Sequence, residues 1–202
     1  MKIRIKFSKH GNTRFVGHLD IMRYFQKAMR RADIPIRYSE GFSPHQVMSF
    51  AAPLGIGVES DAEYMDIEVT EEISSEDAVH RLNGAMCPGI EILEWKQIPD
   101  DEKTAMSQIR SADYLVLCDK PDLSKLNAEE IIVEKENKKG EIQSINIKPM
   151  IYDIHETDNG VFMHIAQGST GNLKPDTVME YLGVQNYLVI RKALYKEDRL
   201  TL

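Results

Sequence analysis

The chain has 202 residues, of which 42% are hydrophobic, and its formal net charge is −7. This length fits one large domain or two domains of about 100 residues, and the composition favours a packed core over disorder. Cys87 and Cys118 are too few for a disulfide framework or a four-cysteine zinc site, and the lack of a long apolar segment predicts a cytoplasmic protein without a membrane span.

The first half of the chain is predicted to fold in the order β-α-β-β-α-β, which is the ferredoxin-like pattern of an α+β fold. Residues 2–8 alternate Lys or Arg with Ile or Phe, and this period of two predicts a half-buried strand with a basic outer face. The expected elements are strands at 2–8, 36–38, 64–69 and 90–95, a helix at 18–32, and a second helix that Ser74 or Ser75 caps and Gly89 ends. The segment at 47–52 can pair as a strand or a strand edge.

Polar residues 99–102 mark the expected boundary between this domain, residues 1–99, and a second α+β domain at residues 104–202. Turn sequences at 137–140 and 158–160 predict two β-hairpins in the second domain. Its expected elements are helices at 104–110, 121–130 and 175–181 and strands at 114–118, 131–136, 141–147, 150–156, 161–166 and 186–193. This order is compatible with a second ferredoxin-like unit that carries an extra hairpin.

Charge is distributed unevenly along the chain. Residues 1–50 contain ten Lys or Arg and three Asp or Glu, which gives +7, so residues 51–202 must sum to −14. A concentrated positive region can hold a phosphate backbone or an acidic partner even in a chain of negative total charge. The simpler alternative is a solvated surface with no ligand.

Two features of this basic region favour nucleic acid. Arg23, Lys27 and Arg30 stand at i, i+4 and i+7, so they share one face of the first predicted helix and repel each other. The loop at 40–45 contains Phe42, which is suited either to stacking on a base or to anchoring the loop by packing. The candidate nucleic-acid-binding residues are Arg14, His18, Arg23, Lys27, Arg30, Arg37, Phe42 and His45.

A glycine-containing segment at 168–175 follows a predicted strand and opens a predicted helix. Free backbone N–H groups at a helix N-terminus can bind an anion. The candidate anion-binding residues are Gly168, Ser169, Gly171 and Lys174. The segment lacks the Gly-Lys-Ser/Thr ending of a Walker A loop, and a purely structural strand–helix connection is the alternative.

Evidence for catalysis or a cofactor is sparse, and we identify no catalytic residue. His10, His18 and His45 lie in or beside the basic region, but no carboxylate completes a ligand trio at familiar spacing, so we expect no metal. A histidine pair acting as general acid and base on RNA stays open as an alternative. No CxxxCxxC sequence is present, so this chain holds no radical SAM cluster, and we expect no other cofactor.

Several segments together resemble the signatures of the radical SAM-linked protein family, and the similarity spans nearly the whole chain. The segments are Arg4–Lys9, Arg14–Asp20, Arg30–Ala32, Tyr38–His45, Ser49–Phe50, Pro53–Ser60, Gly168–Pro175 and Arg191–Tyr195. Members of that bacterial family occur beside a radical SAM protein or fused behind one, often near an RNase of the E/G type and ribosomal proteins. The resemblance implies a radical SAM partner and an RNA or translation setting, but no particular activity.

These observations lead to three functional hypotheses. The first is a non-catalytic module that binds RNA, such as tRNA or rRNA, or presents a substrate to a radical SAM enzyme. The second is an RNA-processing enzyme with a histidine-based site. The third is a protein-only adaptor whose basic region docks an acidic surface. Salt dependence does not separate the first from the third, because both are electrostatic, whereas direct RNA binding does.

Overall fold

The computed structural model describes residues 1–136, 140–197 and 201–202. Strands and helices alternate in an α+β arrangement, as predicted. The strands are β1 (Lys2–Lys9), β2 (Met48–Phe50), β3 (Glu59–Glu68), β4 (Ile90–Ile98), β5 (Ser111–Leu117), β6 (Ile132–Glu136), β7 (Ile142–Asn146), β8 (Ile151–Thr157), β9 (Gly160–Ala166) and β10 (Leu188–Tyr195). The helices are α1 (His18–Arg31), α2 (Ser75–Ala85), α3 (Ala105–Gln108) and α4 (Pro175–Leu182).

One mixed sheet contains strands from both halves of the chain in the order β4-β1-β3-β10-β5-β9-β8, and β2 also pairs with β3. All of its pairs are antiparallel except β3 with β10, which are parallel at Glu59 and Ser60. β6 and β7 form a separate hairpin. The turn predicted at 137–140 falls largely on residues 137–139, which lie outside the described residues.

Two apolar cores flank the point where β3 meets β10. One is built from residues of the first half, such as Phe7, Phe25 and Leu82, which lie on β1, α1 and α2. The other is built mainly from the second half but includes Ala62 and Tyr64 of β3. The two halves therefore share a continuous sheet and part of one core, and their division into folding units at residues 99–104 stays a prediction.

The boundaries of several predicted elements differ from the structure. Residues 36–38 make only isolated bridges, Ile36 with Val69 and Tyr38 with Gln46, because Pro35 and the loop that follows leave no room for a longer ladder. The predicted helix at 121–130 is a short 3₁₀ turn at 123–127. Among the described residues, no helix has the length and apolar character to cross a membrane.

The basic outer face expected for β1 is largely neutralised in the structure. Arg4 is buried and forms two hydrogen bonds to the carboxylate of Asp66, at 2.8 and 3.1 Å. Lys6 pairs with Glu94 at 3.0 Å. The prediction was wrong here because β3 and β4, which flank β1 in the sheet, place acids opposite its cations.

Candidate nucleic-acid interface

Helix α1 carries a basic stripe on its solvent face. Its opposite face buries Ile21, Phe25, Ala28 and Met29 in the first core. The periodicity that fixes this buried face leaves Arg23, Lys27 and Arg30 exposed on the other side. We call these three residues the basic stripe, and a rise of 1.5 Å per residue makes it about 10 Å long.

Little in the protein neutralises the basic stripe. Arg23 forms an exposed ion pair with Asp20 at 3.3 Å, which is worth about 0–1 kcal/mol. Neither Lys27 nor Arg30 has an ion pair with any described residue. Since neighbouring cations of the stripe lie within one Debye length of each other, about 8 Å at physiological salt, their charges act together on a nearby anion. The spacing of the three cations predicts that they repel each other. At Lys27 and Arg30, no described acid offsets this repulsion by an ion pair.

The loop that contains Phe42 is the tip of a narrow hairpin beside this helix. Main-chain hydrogen bonds join Ser39 to His45 at 2.8 Å and Val47 to Arg37 at 2.9 Å. Gly41 has a φ of 107°, a value that favours glycine, and the chain reverses there. Phe42 is fully exposed at the tip. The ring therefore does not anchor the loop by packing, which was the alternative to stacking on a base.

One buried side chain fixes the hairpin to the helix. The amide nitrogen of Gln46 donates to the main-chain oxygen of Gln26 at 3.2 Å and to the hydroxyl of Tyr38 at 3.3 Å. Gln26 lies between Arg23 and Lys27 on α1. The hairpin base is therefore held to the main chain of α1 between Arg23 and Lys27.

The remaining candidates in the basic region are engaged within the protein. Arg14 pairs with Glu59 at 3.2 Å and lies over the ring of Phe15. Arg37 pairs with Glu68 at 2.8 Å and lies 3.8 Å from Glu40. These two arginines are less available to a phosphate than the basic stripe is.

The three histidines have separate environments. The ring of His18 meets Phe50 edge-on at 5.3 Å, and burial lowers its pKa. His10 has one ring nitrogen 3.2 Å from Glu59 and the other 3.2 Å from Asp61. The Nδ1 atom of His45 lies 2.9 Å from the hydroxyl of Ser39. No contact between two of these histidines occurs in the described part of the chain.

Glu59 organises the polar residues at this end of the sheet. It accepts hydrogen bonds from the main-chain N–H of Gly11 at 3.1 Å and from Arg14, and it contacts His10. Burial by itself would raise the pKa of Glu59, but these contacts outweigh it and lower the pKa. The carboxylate is therefore held in its charged form, which suits a structural anchor for the 11–15 turn.

The segment at 168–174 has geometry that explains its first glycine. Gly168 has a φ of 128°, and a Cβ atom there would overlap the main-chain oxygen of Ile109. Gly171 is outside the left-handed region, and a Cβ there would make ordinary contacts. Ser169 and Lys174 are exposed.

The start of α4 offers few free donors for an anion. Pro175 has no N–H, Thr177 donates its own to Lys174 at 3.1 Å, and the carboxylate of Asp176 stands in the first turn. The anion site stays a prediction, and the close approach of Gly168 to Ile109 supports the structural alternative.

Sequence reasoning missed two buried polar clusters. Arg191 of β10 donates to both carboxylate oxygens of Glu63 at 2.9 and 3.1 Å, to the main chain of Ala52, and to Tyr114. Lys9 is also buried beside Glu63 and donates to Val16 at 3.0 Å. These groups lie beside β3 between the part that pairs with β2 and the part that pairs with β10. Only the motif around Arg191 gave a sequence signal for them.

The second cluster lies on β5, β9 and β10. Asp113 is 2.5 Å from Nδ1 of His164 and accepts a hydrogen bond from Tyr195 at 2.6 Å. His164 is 3% exposed, so a substrate has no access to this pair in the structure. Within the described residues, no group of three or more His, Cys, Asp or Glu could hold a metal ion.

A protein-family model matches most of the chain. The family described as an uncharacterized protein conserved in bacteria (DUF2344) matches residues 2–175. No curated protein matches the sequence. The matched range includes the basic stripe, the Phe42 hairpin and the segment at 168–174, so all of the candidate site residues lie within it.

Proposed function

This chain belongs to the DUF2344 family of conserved bacterial proteins, and we propose that it is a non-catalytic RNA-binding or substrate-presenting partner of a radical SAM enzyme. The single observation that supports the RNA-binding part is that the hydrogen bond from Gln46 to Gln26 fixes the base of the hairpin with the exposed Phe42 to the same helix that carries the basic stripe. Cations bind phosphates without regard to sequence, and a free aromatic ring stacks on a base.

The proposed RNA has unpaired bases near its contact with the protein. A side chain at a hairpin tip can stack on a base only when that base is splayed out of a helix. Loops of tRNA or rRNA meet this requirement. His45 lies at the end of the same tip and would contact a base or its sugar.

The radical SAM partner rests on the resemblance of the sequence motifs described above. The same resemblance implies an RNA or translation setting, and the two isolated cysteines support a location in the reducing cytoplasm. We further propose that residues 1–97 form a ferredoxin-like unit, since the antiparallel order β4-β1-β3-β2 and the two helices between its strands support that topology. The second half is proposed to be a related α+β unit.

The histidine-based enzyme is the weaker alternative. His10 is engaged by two carboxylates and the ring of His18 contacts Phe50, which leaves both rings less available to a substrate. A protein-only adaptor has more support, because Phe15, Leu19 and Ile56 are exposed near one end of α1. Exposed apolar side chains next to cations suit an acidic protein partner.

The experiment is RNA crosslinking in cells followed by sequencing, with three proteins compared. The test variant reverses the basic stripe (Arg23→Glu, Lys27→Glu, Arg30→Glu). The control variant makes the same change of charge at exposed lysines elsewhere (Lys96→Glu, Lys103→Glu, Lys120→Glu). A third variant, Phe42→Ala, removes the aromatic tip, with Phe42→Tyr as its conservative partner.

The expected results follow from the contacts. Each phosphate contact is worth about 1 kcal/mol at 4 Å in water, so loss of three weakens RNA binding about a hundredfold. Phe42→Ala removes a stacking contact worth about 1–3 kcal/mol, and Phe42→Tyr keeps it. Thermal unfolding should hardly change, since all four side chains are exposed. Equal RNA recovery from the two charge variants would refute the RNA role and favour the adaptor.

A further inference from the structure

Strand β4 forms one edge of the sheet, and its outer side is only partly covered. On the inner side it pairs with β1. On the outer side the amide of Asn83, from α2, accepts from the N–H of Ile92 at 2.8 Å and donates to its C=O at 3.0 Å. The Asn83 side chain thus supplies, at Ile92, the two main-chain hydrogen bonds that a neighbouring strand would otherwise make.

The edge beyond Ile92 is open in the described part of the chain. A bulge at Leu93 follows the capped residue, since Ile92 pairs with Phe7 and Glu94 with Lys6. From Glu94 to Ile98, no side chain or main-chain group of the described residues bonds the outer edge of β4. Native proteins usually cover or blunt a strand edge, because its unpaired groups recruit another strand.

A groove of about 1040 Å³ runs along this edge between β4 and α2. The β4 side contributes Leu93, which is 39% exposed, and the buried Trp95, and the α2 side contributes Val79 and His80. The groove therefore has three apolar side chains, Val79, Leu93 and Trp95, among polar ones, and the open edge of β4 along one wall offers main-chain hydrogen bonds. This combination suits an extended peptide, which adds a strand to the edge and places alternate side chains in the groove.

The charge around the groove selects the kind of peptide. The charged side chains that line it are the acids Glu76, Asp77 and Glu94 and the base Lys96, which gives −2. Asp77 pairs with Arg81 and Glu94 with Lys6. The wider segment 71–102 contains nine Asp or Glu and two Lys or Arg, which gives −7. Glu76 at the groove is exposed and has no ion pair with any described residue. Such a surface repels nucleic acid and attracts cations.

We propose that the groove between β4 and α2 binds an extended basic segment of a partner protein, which pairs with Glu94–Ile98 as an additional antiparallel or parallel strand. The site lies apart from the basic stripe and does not depend on RNA binding. Main-chain pairing supplies the contact, and the acidic rim supplies the preference for Lys and Arg.

The probe is a fluorescein-labelled peptide of alternating Lys and Val, about eight residues long, which matches a typical strand. Its control has proline at alternate positions, so the charge is kept but the main-chain donors are lost. Anisotropy measures binding to the full chain. Hydrogen exchange then compares the amides of Glu94–Ile98 with those of the opposite edge, β8.

The protein variants are Glu76→Lys in the groove and Asp101→Lys outside it, which make the same change of charge. We expect Glu76→Lys to bind the peptide about tenfold more weakly, Asp101→Lys to bind it nearly as the parent does, and protection to appear at Glu94–Ile98. A thermal melt of each variant verifies that it is folded.

Four results would each overturn the proposal. One is equal binding of the proline control. Another is equal loss in both charge variants, which would show attraction to the overall charge only. The third is protection at β8 instead of β4. The fourth is protection of Glu94–Ile98 by dimer formation without peptide, which would make a second copy of the chain the occupant.

Discussion

Replacement of Gly168 by alanine is expected to destabilise the fold, whereas replacement of Gly171 is not. Gly168 connects β9 to α4 with a φ of 128°, and a Cβ atom there would overlap the main-chain oxygen of Ile109. At Gly171 the nearest atoms to a Cβ are the Cβ of Ala166 at 3.6 Å and the Cε of Met150 at 4.0 Å. The two glycines are three residues apart, so each variant is the other's control.

The size of the effect follows from the backbone and the clash. A non-glycine residue held at such a φ costs about 1–3 kcal/mol, and relief of the overlap must move the connection away from Ile109. We therefore expect Gly168→Ala to lose about 3 kcal/mol of unfolding free energy. In a chain of this length, that loss lowers the melting temperature by about 6–12 °C. Gly171→Ala should stay within about 1 kcal/mol of the parent.

The assay is urea and thermal unfolding followed by circular dichroism, in chloride and in phosphate of equal ionic strength. If the segment at 168–174 binds an anion, phosphate raises the melting temperature of the parent and of Gly171→Ala. If it is only a structural connection, phosphate has no such effect. Equal stability of Gly168→Ala and Gly171→Ala would refute the steric reasoning itself, whatever phosphate does.

Two further predictions concern buried and half-buried charges. Arg191→Met leaves the carboxylate of Glu63 buried without its partner and should cost about 3–5 kcal/mol in urea unfolding, while the double variant with Glu63→Gln should recover much of this loss. For His18, burial lowers the folded-state pKa below the unfolded value of 6.5, so its contribution to stability is full above that value and is lost as the pH falls through the folded-state pKa. His18→Gln should therefore lose less stability than the parent between about pH 7.5 and about pH 5, and an unchanged pH profile would contradict the assignment.

The periodic elements were predictable because their pattern is local. The alternation of residues 2–8 indicated β1, and the three-and-four spacing of apolar residues indicated α1, which the structure places at His18–Arg31. The exposure of the basic stripe followed from the same helical period. Likewise, Asp158–Gly160 predicted the hairpin of β8 and β9, which the structure confirms.

Contacts between distant segments were not predictable in the same way. The basic face assigned to β1 depended on its neighbours, and Asp66 and Glu94 neutralise it from 62 and 88 residues away. Leu19 fits the three-and-four apolar spacing of α1 but is 62% exposed, because the orientation of the helix on the sheet buries Ile21 and Phe25 instead. The spacing of apolar side chains identifies an apolar face of a helix. Which residues of that face are buried depends on how the helix packs on the sheet.

By itself, the sequence determined the α+β class, the order of most elements and the exposed stripe of cations, since each depends on residues a few positions apart. The tertiary structure alone decided that β3 joins β10, that Arg191 pairs with Glu63 across 128 residues, and that Gln46 holds the Phe42 hairpin against α1. Those contacts form only when segments far apart in the chain meet. Such long-range partners produce no periodic pattern in the sequence, so the sequence alone does not reveal them.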